Sequence, residues 1–305
     1  MTPPLGPPAR QCQKALNTLH STVYFSPDLG RELAGRGVDD PMDWYLAGRA
    51  AALGRVGPGV VTAVFHTFRY DLIARHLPAL WDRVPPEQAL AARLRAADAT
   101  LRRVLGQEAL TARPMRDAAR LALRAVEACG RPGRPLYAAH ADQPVPEEPH
   151  LALWYAATLL REHRGDSHVT ALCAAGLDGI EALVSHCASD EGMPREVVMT
   201  KRGWTKEDWD AAEERLRERG LMAADGTLTP RGVRLRRELE EETDRGDREP
   251  YRHLGPAGVA ELTRITEEFV RKAAASGAFP PELQGFFLPP ARRPDAGPSA
   301  DLTKT

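Results

Sequence analysis

The chain is 305 residues long, 43% hydrophobic and 27% charged, the make-up of a soluble globular protein with room for two ordinary domains. Its 41 Lys and Arg against 42 Asp and Glu leave a formal net charge of -1, which excludes a global field drawing it to nucleic acid or an anionic membrane. Cys12, Cys129, Cys173 and Cys187 lack CxxC spacing, Pro3, Pro4, Pro7 and Pro8 stand where a leader's apolar stretch would be, and long uncharged runs are missing, so a reduced, cytoplasmic protein is expected.

Taken in chain order, Ala9 to Phe25 carries Cys12, Leu16, Leu19 and Val23 at helical spacing, and Ser26-Pro27-Asp28 punctuates the chain before a helix over Leu29 to Ala34. Pro41 to Leu53 reads as a helix that stops at Gly54, and Gly57, Pro58 and Gly59 mark a joint before Val60 to Phe68. Leu72 to Trp81, Pro86 to Leu105 and Met115 to Cys129 follow, the second with Leu90, Leu94, Ala97 and Leu101 as its inner stripe. Gly130 to Pro149 loses periodicity and gains prolines. This predicts an extended linker over 130–150 between an N-terminal helical domain, 1–129, and a second domain, 151–279, with Tyr137 and His140 pointing inward.

Leu151 to Ala188 reads as two helices meeting at Arg164-Gly165-Asp166, Gly165 closing the first and Asp166 capping the second. Pro194 to Thr200, Gly203-Trp204 and a helix from Thr205 to Arg219, capped by Thr205 with Asp208 in the reciprocal position, come next. Asp225-Gly226 predicts the turn of a short β-hairpin, and Val233 to Arg245 and Pro256 to Ala275 predict two more helices. That order is the order of a winged helix-turn-helix, so the expected class is mainly α with a β-hairpin wing. Residues 280–305 have the composition of a disordered tail. A weak repeat pairs Asp43-Trp44-Tyr45 and Val61-Thr62-Ala63 with Leu153-Trp154-Tyr155 and Val169-Thr170-Ala171. It suggests an internally duplicated chain, a monomeric pseudo-dimer or a homodimer, whose first copy is a degenerate winged helix.

Tyr24-Phe25-Ser26-Pro27, Gly48-Arg49-Ala50-Ala51 with Leu53-Gly54, Val61 to Phe65, Leu159 to Leu172 and Arg202-Gly203-Trp204 carry a resemblance. Over Ala9 to Ala275 the chain resembles an actinobacterial helix-turn-helix family related to MarR-type winged helices. Leu159 to Leu172 is its most specific part, and His140 departs from the family pattern, which has Asn there. What the resemblance implies is a MarR-like fold, and a fold alone does not fix a function.

Three functions follow from the residues. A transcriptional regulator would contact DNA through Lys201, Arg202, Lys206, Arg231 and Arg234, but Glu207, Asp208, Asp210, Glu213 and Glu214 make its recognition helix acidic and disfavour base reading. The favoured reading is a repurposed fold that binds a small molecule or metal between its halves, with Tyr24, Phe25, Arg49, His163, Arg164, Asp166 and His168 as ligand residues. Arg49 and Arg164 would hold an anionic group, Asp166 would orient one of those guanidiniums, and His163 or His168 would titrate. If the chain turns at Gly165, His163, Asp166 and His168 are also candidate ligands for a transition metal or neighbours of a haem. His20 and His66 would complete such a pocket, with Trp44 and Trp154 as walls. An enzyme on the same pocket would use His168 as its acid or base, although no reaction class follows. Helix capping and packing account for the same residues without any ligand.

Overall fold

The computed structural model describes residues 6–189, 192 and 194–281. Helix α1 (Pro7–Ser21) starts on proline, whose missing N–H costs nothing at a first turn, and buries Cys12, Leu16 and Leu19 as its spacing requires. A single 3-10 turn, Thr22–Phe25, extends it. Helices α2 (Asp28–Ala34), α3 (Pro41–Ala50), α4 (Pro58–Phe65), α5 (Tyr70–Ala74) and α6 (Leu80–Arg83) enclose a core that contains Trp81 and Phe68. The helix expected over Leu72 to Trp81 is two short ones, because Pro78 has no N–H to continue the first.

Helix α7 (Pro86–Thr111) bends at Gly106, and α8 (Arg113–Val126) follows it. The buried stripe of α7 runs through Ala89, Ala92, Arg93, Ala96 and Ala97, while Leu90 and Leu94 are half-buried, so the inner face is rotated from the expected one. Within the linker expected to be extended, α9 (Pro135–Ala141) forms a short helix that turns Tyr137 and His140 inward.

Helix α10 (Pro149–Ala174) is unbroken over 26 residues, which corrects the expected break at Gly165. The residues read as caps are used by neighbours instead. Asp166 accepts from the backbone N–H of Tyr137 at 2.9 Å, where α9 has an unsatisfied donor, and Arg164 reaches across to Glu240 and Asp244. The first half of α10 packs in one core with α1, α8 and the last helix, and its end packs in another with the elements that follow.

Those elements are α11 (Gly179–Cys187), α12 (Arg195–Arg202), α13 (Lys206–Glu218) and α14 (Pro230–Gly246); the last helix, α15 (Arg248–Ala275), is bent at Gly255. The capping box expected at Thr205 and Asp208 opens α13. Between α12 and α13, Gly203 has φ 77°, and a Cβ there would lie 2.7 Å from Leu72; both conditions call for glycine. The expected wing is reduced to a turn, since residues 221–229 are held by one antiparallel bridge, Met222 to Leu228, and no strand forms among the described residues. No helix among the described residues is long and apolar enough to cross a membrane. Of the tail expected to be disordered, residues 282–305 lie outside the described residues.

Candidate anion site

The middle of α10 meets α1, α3, α4, α7 and α12 at a group of arginines interleaved with aromatic rings. Arg49 leaves the last turn of α3 and grips Glu162 of α10 with two hydrogen bonds, Nε to Oε1 at 3.2 Å and Nη2 to Oε2 at 2.9 Å. Arg161 donates to the same carboxylate from the neighbouring position. Arg49 also donates to the Tyr45 hydroxyl at 3.1 Å and lies 4.4 Å from the centre of the Phe65 ring. Arg161 lies over Tyr24, Arg202 over Phe68 at 4.1 Å, and Arg93 over Trp154 at 4.7 Å. His20 stacks on Trp154 with its ring 5.1 Å away and receives the Arg93 guanidinium at 3.4 Å. Guanidinium faces suit such stacking, which shields them from water without neutralising them.

The electrostatics follow from this crowding. Glu162 is fully buried, which alone would raise its pKa, but Arg161 and Arg49 hold it well below the usual carboxylate range. Burial opposes the charge on Arg49 and Arg161 and Glu162 overrides it, whereas burial wins at Arg93 and Arg202 and lowers both. Burial also opposes ionisation of Tyr45, yet Arg49, Arg202 and Arg161 pull its phenol down to about 8. His140 is pushed down to about 3 by burial and then by Arg93, and His20 falls for the same reasons with Arg161 added, so both rings are neutral. Among the described residues, His20 Nδ1 and His140 Nε2 are buried without a hydrogen-bond partner. Arginine does not shed its proton at these values, so the cluster holds four guanidiniums, of which Arg49 and Arg161 bond Glu162 while Arg93 and Arg202 lie over aromatic rings.

Of the residues expected from the sequence, Arg49 and Tyr24 stand in this cluster, as do His20 and Trp154. The others point elsewhere. Phe25 packs edge-on against Phe279, Trp44 donates to the carbonyl of Val38, and His66 sits at the carbonyl of Leu177. His163 pairs through Nδ1 with Asp247 at 2.7 Å, Arg164 with Glu240 and Asp244, and His168 through Nδ1 with Thr243 at 2.8 Å. Without a turn at Gly165, about 100° of rotation per residue leaves His163 and Asp166 on one face but turns His168 well away from both, and His163 and Asp166 are taken by Asp247 and the Tyr137 N–H. Among the described residues no group of three His, Cys, Asp or Glu side chains is placed to hold a metal, which corrects that expectation. Asp166, expected to orient a guanidinium, is carried to about 6 by burial, and Glu162 performs the orienting. His168 is lowered to about 4 by burial, and within the arginine cluster it is Tyr45 that is drawn toward neutrality, to about 8. Arg93, Arg161 and Tyr45 are not among the residues expected from the sequence, and Arg202, expected at DNA, stands in this cluster instead. A charged residue on the alanine stripe of α7 was the available signal for Arg93.

The turn between α12 and α13 is joined to this site. Arg202, the last residue of α12, sends its side chain inward and accepts at its carbonyl from Arg69 N–H at 3.0 Å; it is not a surface residue for DNA. Trp204 donates to Thr67 O at 2.8 Å, and Arg69 pairs with Asp208 at 3.0 Å. The outer face of α13 presents Glu207, Asp210, Glu214 and Glu218, while Arg215, Arg217 and Arg219 are engaged by acidic partners. Lys206 pairs with Asp210, and Lys201, Arg231 and Arg234 are exposed.

Two helices joined through a left-handed glycine, the second opened by a capping box, define a protein of the helix-turn-helix class. The chain belongs to a helix-turn-helix family, whose model matches residues 9–280. No curated protein and no solved structure matches it.

Proposed function

We propose that this helix-turn-helix protein binds a small ligand bearing an oxyanion in the arginine cluster between its N-terminal helices and the α12–α13 pair. The observation that carries the reading is the excess of positive charge held there, with Arg93 buried and Arg49, Arg161 and Arg202 half-buried. Confined guanidiniums facing a single carboxylate are costly unless a counter-charge joins them, and planar forks of this kind match carboxylate or phosphate oxygens two at a time. Arg202 makes the same anion a contact of the helix-turn-helix, so binding and the position of α12 share one side chain.

The test is thermal unfolding of the full chain in phosphate or in chloride at equal ionic strength. Phosphate is expected to raise the midpoint by several degrees, since a ligand at 100 times its Kd adds about 2.7 kcal/mol, and Arg49→Met is expected to abolish the difference. Equal midpoints in the two salts would overturn the reading. A second reading, a MarR-like winged-helix regulator of transcription, draws on the family and on exposed Lys201, Arg231 and Arg234. The acidic face of α13 weighs against it, because phosphate contacts supply most DNA affinity. Duplex binding that weakens steeply between two salt concentrations would favour the regulator.

A further inference from the structure

A cavity of about 390 Å³ opens where α7, the segment after α9 and the start of α10 come together. Its walls include half-buried Leu90 and Leu94, Ala51, Pro144 and Trp154, and Arg93 also lines it. Arg93 is only 4% exposed, and among the described residues no carboxylate lies within ion-pair distance of it. Beside it stands His20, with Nδ1 buried and unpartnered. Glu87 lies on the exposed rim, on the first turn of α7.

We infer that this cavity holds a monocarboxylic acid with a ring-sized apolar body, its carboxylate on Arg93 and its body against Leu90, Leu94 and Trp154. The inference rests on the anion-binding reading above and names its ligand class. Three features of the cavity select that class. Among the described residues the one strongly basic lining group is Arg93, which can hold one planar two-oxygen group; the walls are mostly apolar, so the rest of the molecule gains by being apolar; and Glu87 repels a second negative charge at the mouth. The volume suits a single or fused ring and not a long chain.

The experiment is titration of the full chain with acetate, benzoate, 1-naphthoate and inorganic phosphate, followed calorimetrically and by thermal unfolding. Benzoate is expected to bind at least ten times more tightly than acetate, and 1-naphthoate at least as tightly as benzoate. Leu94→Trp, which fills the cavity from a half-buried position, is expected to remove at least tenfold of benzoate affinity while leaving the response to phosphate unchanged. Arg93→Met should lose benzoate binding, and Arg93→Lys should recover part of it. Equal affinity for acetate and benzoate, or benzoate binding indifferent to Leu94→Trp, overturns the inference while the phosphate response still speaks for the cluster. A chain that answers neither to phosphate nor to any carboxylate overturns both.

Discussion

Helix α10 carries charge on two sides, and the two sides are built on opposite plans. Toward α14 and α15, bases and acids are matched: Arg164 with Glu240 and Asp244, Arg10 with Asp244, His163 with Asp247. Toward α3, α7 and α12, Glu162 stands alone among Arg49, Arg93, Arg161 and Arg202. Matched buried ions fix the register of packed helices at little net gain, while unmatched ones hold free energy that a ligand can release. One helix thus separates a structural network from the proposed binding centre.

Substitutions on the two sides test that separation. Glu162→Gln removes the lone counter-charge and is expected to cost about 3–5 kcal/mol in urea unfolding, with part of the loss recovered in phosphate. A cost below about 1 kcal/mol would mean that the guanidiniums repel one another far less than their placement implies. Asp244→Asn, on the matched side, leaves Arg164 its bond to Glu240 and is expected to cost about 1–2 kcal/mol. Phosphate should not restore it; recovery equal to that of Glu162→Gln would erase the contrast.

The smallest effect is in pH dependence. With Tyr45 at about 8 in the folded chain against a usual 10, its ionisation favours the fold. That contribution is absent below pH 8, grows between 8 and 10, and is complete above 10. On the matched side Tyr137 is pushed up to about 12 by burial, the opposite sign. Tyr45→Phe should therefore flatten the rise in unfolding free energy between pH 8 and 10, and a bound oxyanion should move the first phenolate transition upward. A first transition that neither Tyr45→Phe nor phosphate alters would remove Tyr45 from the cluster.

Much of this was legible in the sequence where the signal is local. The Thr205 and Asp208 cap, the prolines that open α1 and α7, and the helical stripe of Cys12, Leu16 and Leu19 each depend on residues within a turn or two. Arg164-Gly165-Asp166 misled for the same reason. Its residues suit helix ends, but α9 supplies the donor for Asp166 and α14 the acids for Arg164, while Gly165 stays in an unbroken helix. The cluster was legible only in Arg49, Tyr24, His20 and Trp154. Arg93, Arg161 and Arg202 come from three helices far apart in the chain; only Arg93, on an alanine stripe, carries a local mark, and nothing local shows that Arg161 or Arg202 will be covered by an aromatic ring.

Arg202 occupies the last position before the left-handed turn at Gly203, which is itself pressed against Leu72. A pull on its guanidinium is therefore a torque on the elbow between α12 and α13, with Arg69 and Trp204 as the bearings on either side. Whatever rests on the outer surface of α13 and whatever occupies the arginines would then be linked by a single free energy, each altering the affinity for the other by the same factor.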